Sequence, residues 1–88
     1  MTLSVRVAPN TWWPVATLGE ASRSVRLWLD TNALGASKWG QGNAPVKNRQ
    51  GKLVALISYN GRVWTTERNH ADRREIVGRD LDVEGGPQ

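Results

Sequence analysis

The run Lys52-Leu53-Val54-Ala55-Leu56-Ile57-Ser58-Tyr59, followed by Asn60-Gly61 and then Arg62-Val63-Trp64-Thr65-Thr66, constrains the fold more than any other stretch. Its β-forming residues read as a strand, and Asn-Gly is the preferred pair for a two-residue type I′ hairpin. A two-residue loop predicts the register: Tyr59 opposite Arg62, Ser58 opposite Val63, Ile57 opposite Trp64. One face would then carry Leu53, Ala55, Ile57, Tyr59 and Trp64. The other would carry Val54, Leu56, Ser58, Val63 and Thr65, an apolar strip that the tail, a partner or a second copy of the chain would cover. Upstream, Ala44-Pro45-Val46-Lys47 and the turn Asn48-Arg49-Gln50-Gly51 add a short strand. Pro45 cannot donate to a ladder, which predicts an edge position for it.

Leu3-Ser4-Val5-Arg6-Val7 alternates apolar and polar residues, the period of a half-buried strand. Trp12-Trp13-Pro14 reads as a loop or an edge segment, because Pro14 lacks a donor. Thr17-Leu18-Gly19-Glu20 is a capping box, opening a helix expected from about Leu18 to Asn32. Leu18, Ala21, Ser22, Val25, Trp28 and Leu29 share one helical face, and Leu27 lies on the wet side. Gly35 is expected to end the helix as its left-handed residue. Ala36 to Asn43 reads as loop, with Trp39 either a lid over the core or a presented anchor. The expected fold is α+β: β-α-β-β-β, an antiparallel sheet with one helix packed on one face. A short fifth strand or strap would come from residues 75–83. Residues 1–83 are expected to form a single domain, and residues 84–88 a flexible tail.

Several function classes find no support in the residues. The chain has no cysteine, which excludes disulfides and thiolate metal sites and suits a reducing cytoplasm. No apolar run approaches the roughly 18 residues of a membrane span, and the first residues do not resemble a secretory signal. The one histidine, His70, lies near Asp72 in a polar segment that offers a catalytic base little support. Asp80, Asp82 and Glu84 read as surface acidity, and Gly40-Gln41-Gly42 lacks the residues of a phosphate loop. The expectation is a chain that is not an enzyme and uses no metal or cofactor.

What remains is a binding surface. Residues 1–66 carry eight Lys/Arg and two acids, a balance of +6, whereas residues 67–88 balance at −2. A basic body favours anionic partners. Five tryptophans and no phenylalanine exceed what one small core holds comfortably, so some indoles are expected outside. Trp12, Trp13, Trp39, Tyr59 and Arg62 are candidate anchors for a protein partner, since Trp, Tyr and Arg dominate interface hot spots. Lys47, Arg49 and Lys52 cluster at one hairpin end and, with Arg62, could hold a nucleic-acid strand through its phosphates. A homodimer joined through Val54, Leu56 and Val63 is a third possibility, so the chain is expected as a monomer or a weak homodimer.

Two blocks carry a resemblance. Thr17-Leu18-Gly19-Glu20-Ala21-Ser22 with Ala33-Leu34-Gly35-Ala36-Ser37, and Ile57-Ser58-Tyr59-Asn60-Gly61-Arg62-Val63-Trp64, resemble small uncharacterised phage and prophage proteins across about residues 16–66. The architecture also resembles that of some anti-CRISPR proteins. That resemblance implies a phage-encoded, non-enzymatic inhibitor docking on a host defence complex, a CRISPR-Cas surveillance assembly. A basic chain of this kind would approach an acidic face of a Cas subunit or a guide RNA. No residue roles follow from the resemblance.

Overall fold

Alternation at the N-terminus places Leu3, Val5 and Val7 on a buried side, with Ser4, Arg6 and Ala8 on the other. In the computed structural model, which describes residues 3–85 without the side chains of Ala36 and His70, this segment is strand β1 (Leu3–Ala8). Asn10, at φ 63°, turns the chain into β2 (Thr11–Val15), which pairs antiparallel with β1. The Trp12-Trp13-Pro14 segment is thus an edge strand, and Pro14 is accommodated because its outer side has no partner. Helix α1 (Leu18–Thr31) and the short α2 (Ala36–Trp39) follow. Then come β3 (Asn43–Asn48), β4 (Leu53–Ser58), β5 (Val63–Trp64) and β6 (Glu75–Ile76). Single 3-10 turns occupy His70–Asp72 and Gly78–Leu81. The six strands form one antiparallel sheet in the order β2-β1-β3-β4-β5-β6, with α1 against one face. The α+β expectation holds, enlarged by β2, and the expected short last strand is β6. Residues 86–88 of the expected tail lie outside the described residues. Gly85 donates its N–H to the Ala16 carbonyl at 2.8 Å.

The capping box forms with one change. Thr17 Oγ1 accepts from the Glu20 N–H at 3.1 Å, while the Glu20 carboxylate accepts from Ala16 rather than Thr17. Gly19 stands where α1 meets the last turn of the chain. A Cβ there would come within 3.1 Å of the Leu81 carbonyl oxygen, so a side chain would push that turn away. The buried helical residues Leu18, Ala21, Val25 and Leu29 pack with Val5, Val7, Val15, Val46, Ala55, Ile57 and Val63. Burying each Val, Leu or Ile contributes about 1.5–3 kcal/mol. Leu27 is 60% exposed, as the helical wheel predicts.

The end of α1 corrects one expectation. The left-handed residue is Ala33, at φ 52°, and not Gly35. Leu34 N–H bonds to the Leu29 carbonyl at 2.9 Å and Ala33 N–H to Asp30 at 3.3 Å, the paired bonds of a Schellman motif. Gly35 instead supplies the carbonyl that accepts from the Trp39 N–H at the start of α2. An L-residue in the left-handed region costs about 1–2 kcal/mol, whereas glycine adds about 0.4–1 kcal/mol of unfolded-chain entropy. Ala33→Gly is therefore expected to stabilise the fold by about 0.5–1 kcal/mol, raising Tm by roughly 2–8 °C in a thermal melt.

Two further corrections concern the sheet. Pro45 is not at an edge, because β3 lies between β1 and β4. Its pairing with β1 runs only from Leu3↔Asn48 to Val5↔Val46 and stops before Pro45. The Arg6 carbonyl, next in line, accepts from Gln41 Nε2 at 3.0 Å instead. The β4–β5 register is also shifted by one residue: Ile57 faces Val63 and Leu56 faces Trp64. The loop has three residues, Tyr59, Asn60 and Gly61, closed by Gly61 N–H to Ser58 O and Ser58 N–H to Arg62 O, with Gly61 at φ 87°. This is a type I turn ending in a left-handed residue, the next commonest hairpin after the two-residue form. A one-residue shift exchanges the faces. Val63 goes under α1, and Trp64 goes to the opposite side. The expected strip of Val54, Leu56 and Val63 therefore does not exist. Val63 is sealed in the core, Val54 packs against it, and Leu56 points the other way.

Candidate functional site: the uncovered face of the sheet

Each strand that buries residues under α1 turns the alternate residues to the opposite face. The strand order lines up one row there: Trp12 pairs with Arg6, Pro45 with Leu56, Leu56 with Trp64, and Trp64 with Glu75, the β1–β3 ladder ending one residue before Arg6 and Pro45 would meet. A second row runs Pro14, Ser4, Lys47 and Leu53. With strands about 4.8 Å apart, Trp12 and Trp64 stand roughly 19 Å apart across the face.

The two ends of this face differ in shape. At the β2 end, Trp12 is 39% exposed and the Lys47 ammonium sits 5.3 Å from its ring centroid, a cation–π contact. Ser4, Trp12, Lys47, Asn48, Arg49 and Gly51 line a shallow depression of about 350 Å³ there. The turn behind it is rigid for a local reason: the Asn48 side chain accepts from both the Gln50 and Lys52 N–H groups at 3.0 Å. At the β5 end, Gly42, Asn43, Leu56, Ser58, Trp64 and Arg73 line a more enclosed pocket of about 240 Å³. Between them lies Arg6, whose Nε is shielded from solvent without a hydrogen-bond acceptor among the described residues. A shielded cationic donor left unsatisfied is uncommon, and an incoming anion would satisfy it.

The segment after β5 brings Arg73 to the pocket. Thr65 N–H donates to the Arg74 carbonyl and Arg74 N–H to Thr65 Oγ1, both at 2.9 Å. Arg73 Nε donates to the Glu67 carbonyl at 2.8 Å. The Thr65 hydroxyl donates to the Glu67 carboxylate. That bond first, aided by a backbone N–H and by the Arg74 and Arg73 charges, holds Glu67 below the usual carboxylate range.

Of the residues singled out from sequence, Trp12, Lys47 and Arg49 come together on this face, with Lys52 in the adjoining turn. The others do not join them. Trp13 turns to the helix side and meets Trp28 edge-on, with centroids 5.6 Å apart. Trp39 is sealed in the core, 5% exposed, with its indole N–H donating to the Val7 carbonyl at 2.8 Å. It is a lid, and as placed it offers no ring to a partner. Tyr59 and Arg62 are exposed at the β4–β5 loop, which is tied to α1 by Ser22 Oγ to Gly61 O and by Arg26 to Tyr59 O. Arg6, Trp64 and Arg73 are members of the face that sequence reasoning missed. Arg6 was legible, since it alternates with Val5 and Val7. Trp64 required the correct register, and Arg73 required the path of the 65–74 loop.

Among the described residues, no group of three or more His, Asp or Glu could hold a metal ion. Among the same residues, no helix is long and apolar enough to cross a membrane. Comparison with protein-family models, curated proteins and solved structures finds no match. The functional reading therefore rests on geometry.

Proposed function

We propose that this chain is a non-catalytic binding module that holds single-stranded nucleic acid across the uncovered face of its sheet. The observation that carries the reading is the Lys47 ammonium poised over the Trp12 ring, on a face that also bears Arg6, Arg49, Trp64 and Arg73. Single strands are bound by this combination. Cations follow the phosphates, and exposed aromatic faces stack on bases of any sequence. The roughly 19 Å between the two indoles matches about five or six stacked nucleotides at about 3.4 Å each. The net charge of +4 adds attraction from a distance. Glu75, at the far end of the row, marks where a phosphate path would stop.

A protein-docking inhibitor is the competing reading, and it is the one the phage-protein resemblance suggests. Hot spots in protein interfaces cluster around one centre. Here Trp12 lies on the outermost strand, whereas Tyr59 lies in a loop three strands away.

The test is fluorescence anisotropy with a labelled single-stranded oligonucleotide of about eight nucleotides, at several salt concentrations. Neutralising three or four phosphates predicts a slope of log K against log salt of about −2 to −3. Duplex of the same length should bind more weakly, because its bases are not free to stack on the indoles. Absence of binding at low salt would remove the proposal and leave the face to a protein partner.

A further inference from the structure

We infer that the pocket beside Trp64 is a subsite for one nucleobase, with adenine the best match; this rests on the single-strand reading above. The pocket, at about 240 Å³, falls below the roughly 300–1,000 Å³ typical of sites for larger organic ligands. One flat ring system suits it. Its floor is Leu56, only 8% exposed although it is on the face away from α1. Trp64 forms a wall against which a base can stack. The polar lining is sparse and differs from that of the Trp12 end. Ser58 Oγ already donates within the hairpin, to Asn60 and to the Arg62 carbonyl, so its remaining capacity is as an acceptor. The Asn43 carboxamide makes no hydrogen bond among the described residues and offers both a donor and an acceptor. A carboxamide pairs in two-point fashion with adenine, through its exocyclic amino group and N7. Arg73 completes the lining, where its guanidinium suits the phosphate attached to the seated base.

The geometry divides the labour along the face. The Trp12–Lys47 end grips without regard to sequence, and the Trp64 pocket adds a preference. The experiment compares an oligothymidylate of about eight nucleotides with the same strand carrying a single central adenine. The adenine is expected to tighten binding about fivefold or more. Asn43→Ala should abolish that gain, bringing the ratio of the two affinities to about one. Trp64→Phe, which keeps a stacking ring, should retain the gain. An adenine effect of less than twofold, with oligothymidylate still bound, would overturn the subsite while the binding face stands. Persistence of the full gain in Asn43→Ala would overturn it as well. Failure of both strands to bind would overturn the face and the subsite together.

Discussion

Trp39→Ala is expected to lower stability by about 3–5 kcal/mol, the usual cost of emptying a large aromatic site in a core. A domain of this size has about 5–15 kcal/mol in total, so the variant would be close to unfolding at 37 °C. Thermal melts followed by circular dichroism should show a fall in Tm of roughly 12–40 °C. Two things place the effect here. The ring is 5% exposed and belongs to the core cluster, and its N–H satisfies the Val7 carbonyl across the end of β1. Trp39→Phe separates them. It keeps an aromatic ring and removes the donor, leaving a shielded carbonyl unpaired at about 1–3 kcal/mol. A loss below 1 kcal/mol in the alanine variant would show that α2 does not seal the core.

Trp12→Ala is expected to weaken binding of every single strand by about 5- to 150-fold, the range for losing one stacked base. Stability should fall by only about 1–2 kcal/mol, because the ring is 39% exposed on the outermost strand and loses part of its packing and its contact with Lys47. Lys47→Gln is expected to act differently. It should lessen the salt slope by about 0.7, the contribution of one single-strand phosphate. The two side chains touch, so their effects should not add, and the double variant measures the coupling. Unchanged affinity in both single variants, with the fold intact, would exclude this end of the sheet from the contact.

Local chemistry carried much of the fold into the sequence. The alternation around Val5 and Val7, the Thr17–Glu20 box and the apolar run before Asn60 each specify an element through nearest neighbours alone. What failed depended on distant contacts. Asn60-Gly61 favours a two-residue loop in isolation, yet the chain uses three residues. The loop is held by Ser22 Oγ on the Gly61 carbonyl, and Val63 fits beneath α1. Pro45 signals an edge by its missing donor, but a glutamine side chain from a neighbouring loop supplies a substitute. Ala33 has no sequence mark of a left-handed residue. It is held there by the Leu34–Leu29 bond and by Leu34 packing on the core. The site was half legible for the same reason. Lys47 and Arg49 are neighbours in sequence, whereas Trp12 joins them only through the β2-β1-β3 order and Trp64 only through the true register.

The outermost strands have a bearing on how the molecule behaves when concentrated. Pro14 interrupts the donor pattern of β2, and β6 offers a mere two residues for pairing. Neither rim is a good template for a foreign strand, so lateral growth into fibrils or strand-swapped polymers is disfavoured at both ends. A tryptophan-rich sheet can in this way keep one broad side bare without becoming a seed for aggregation.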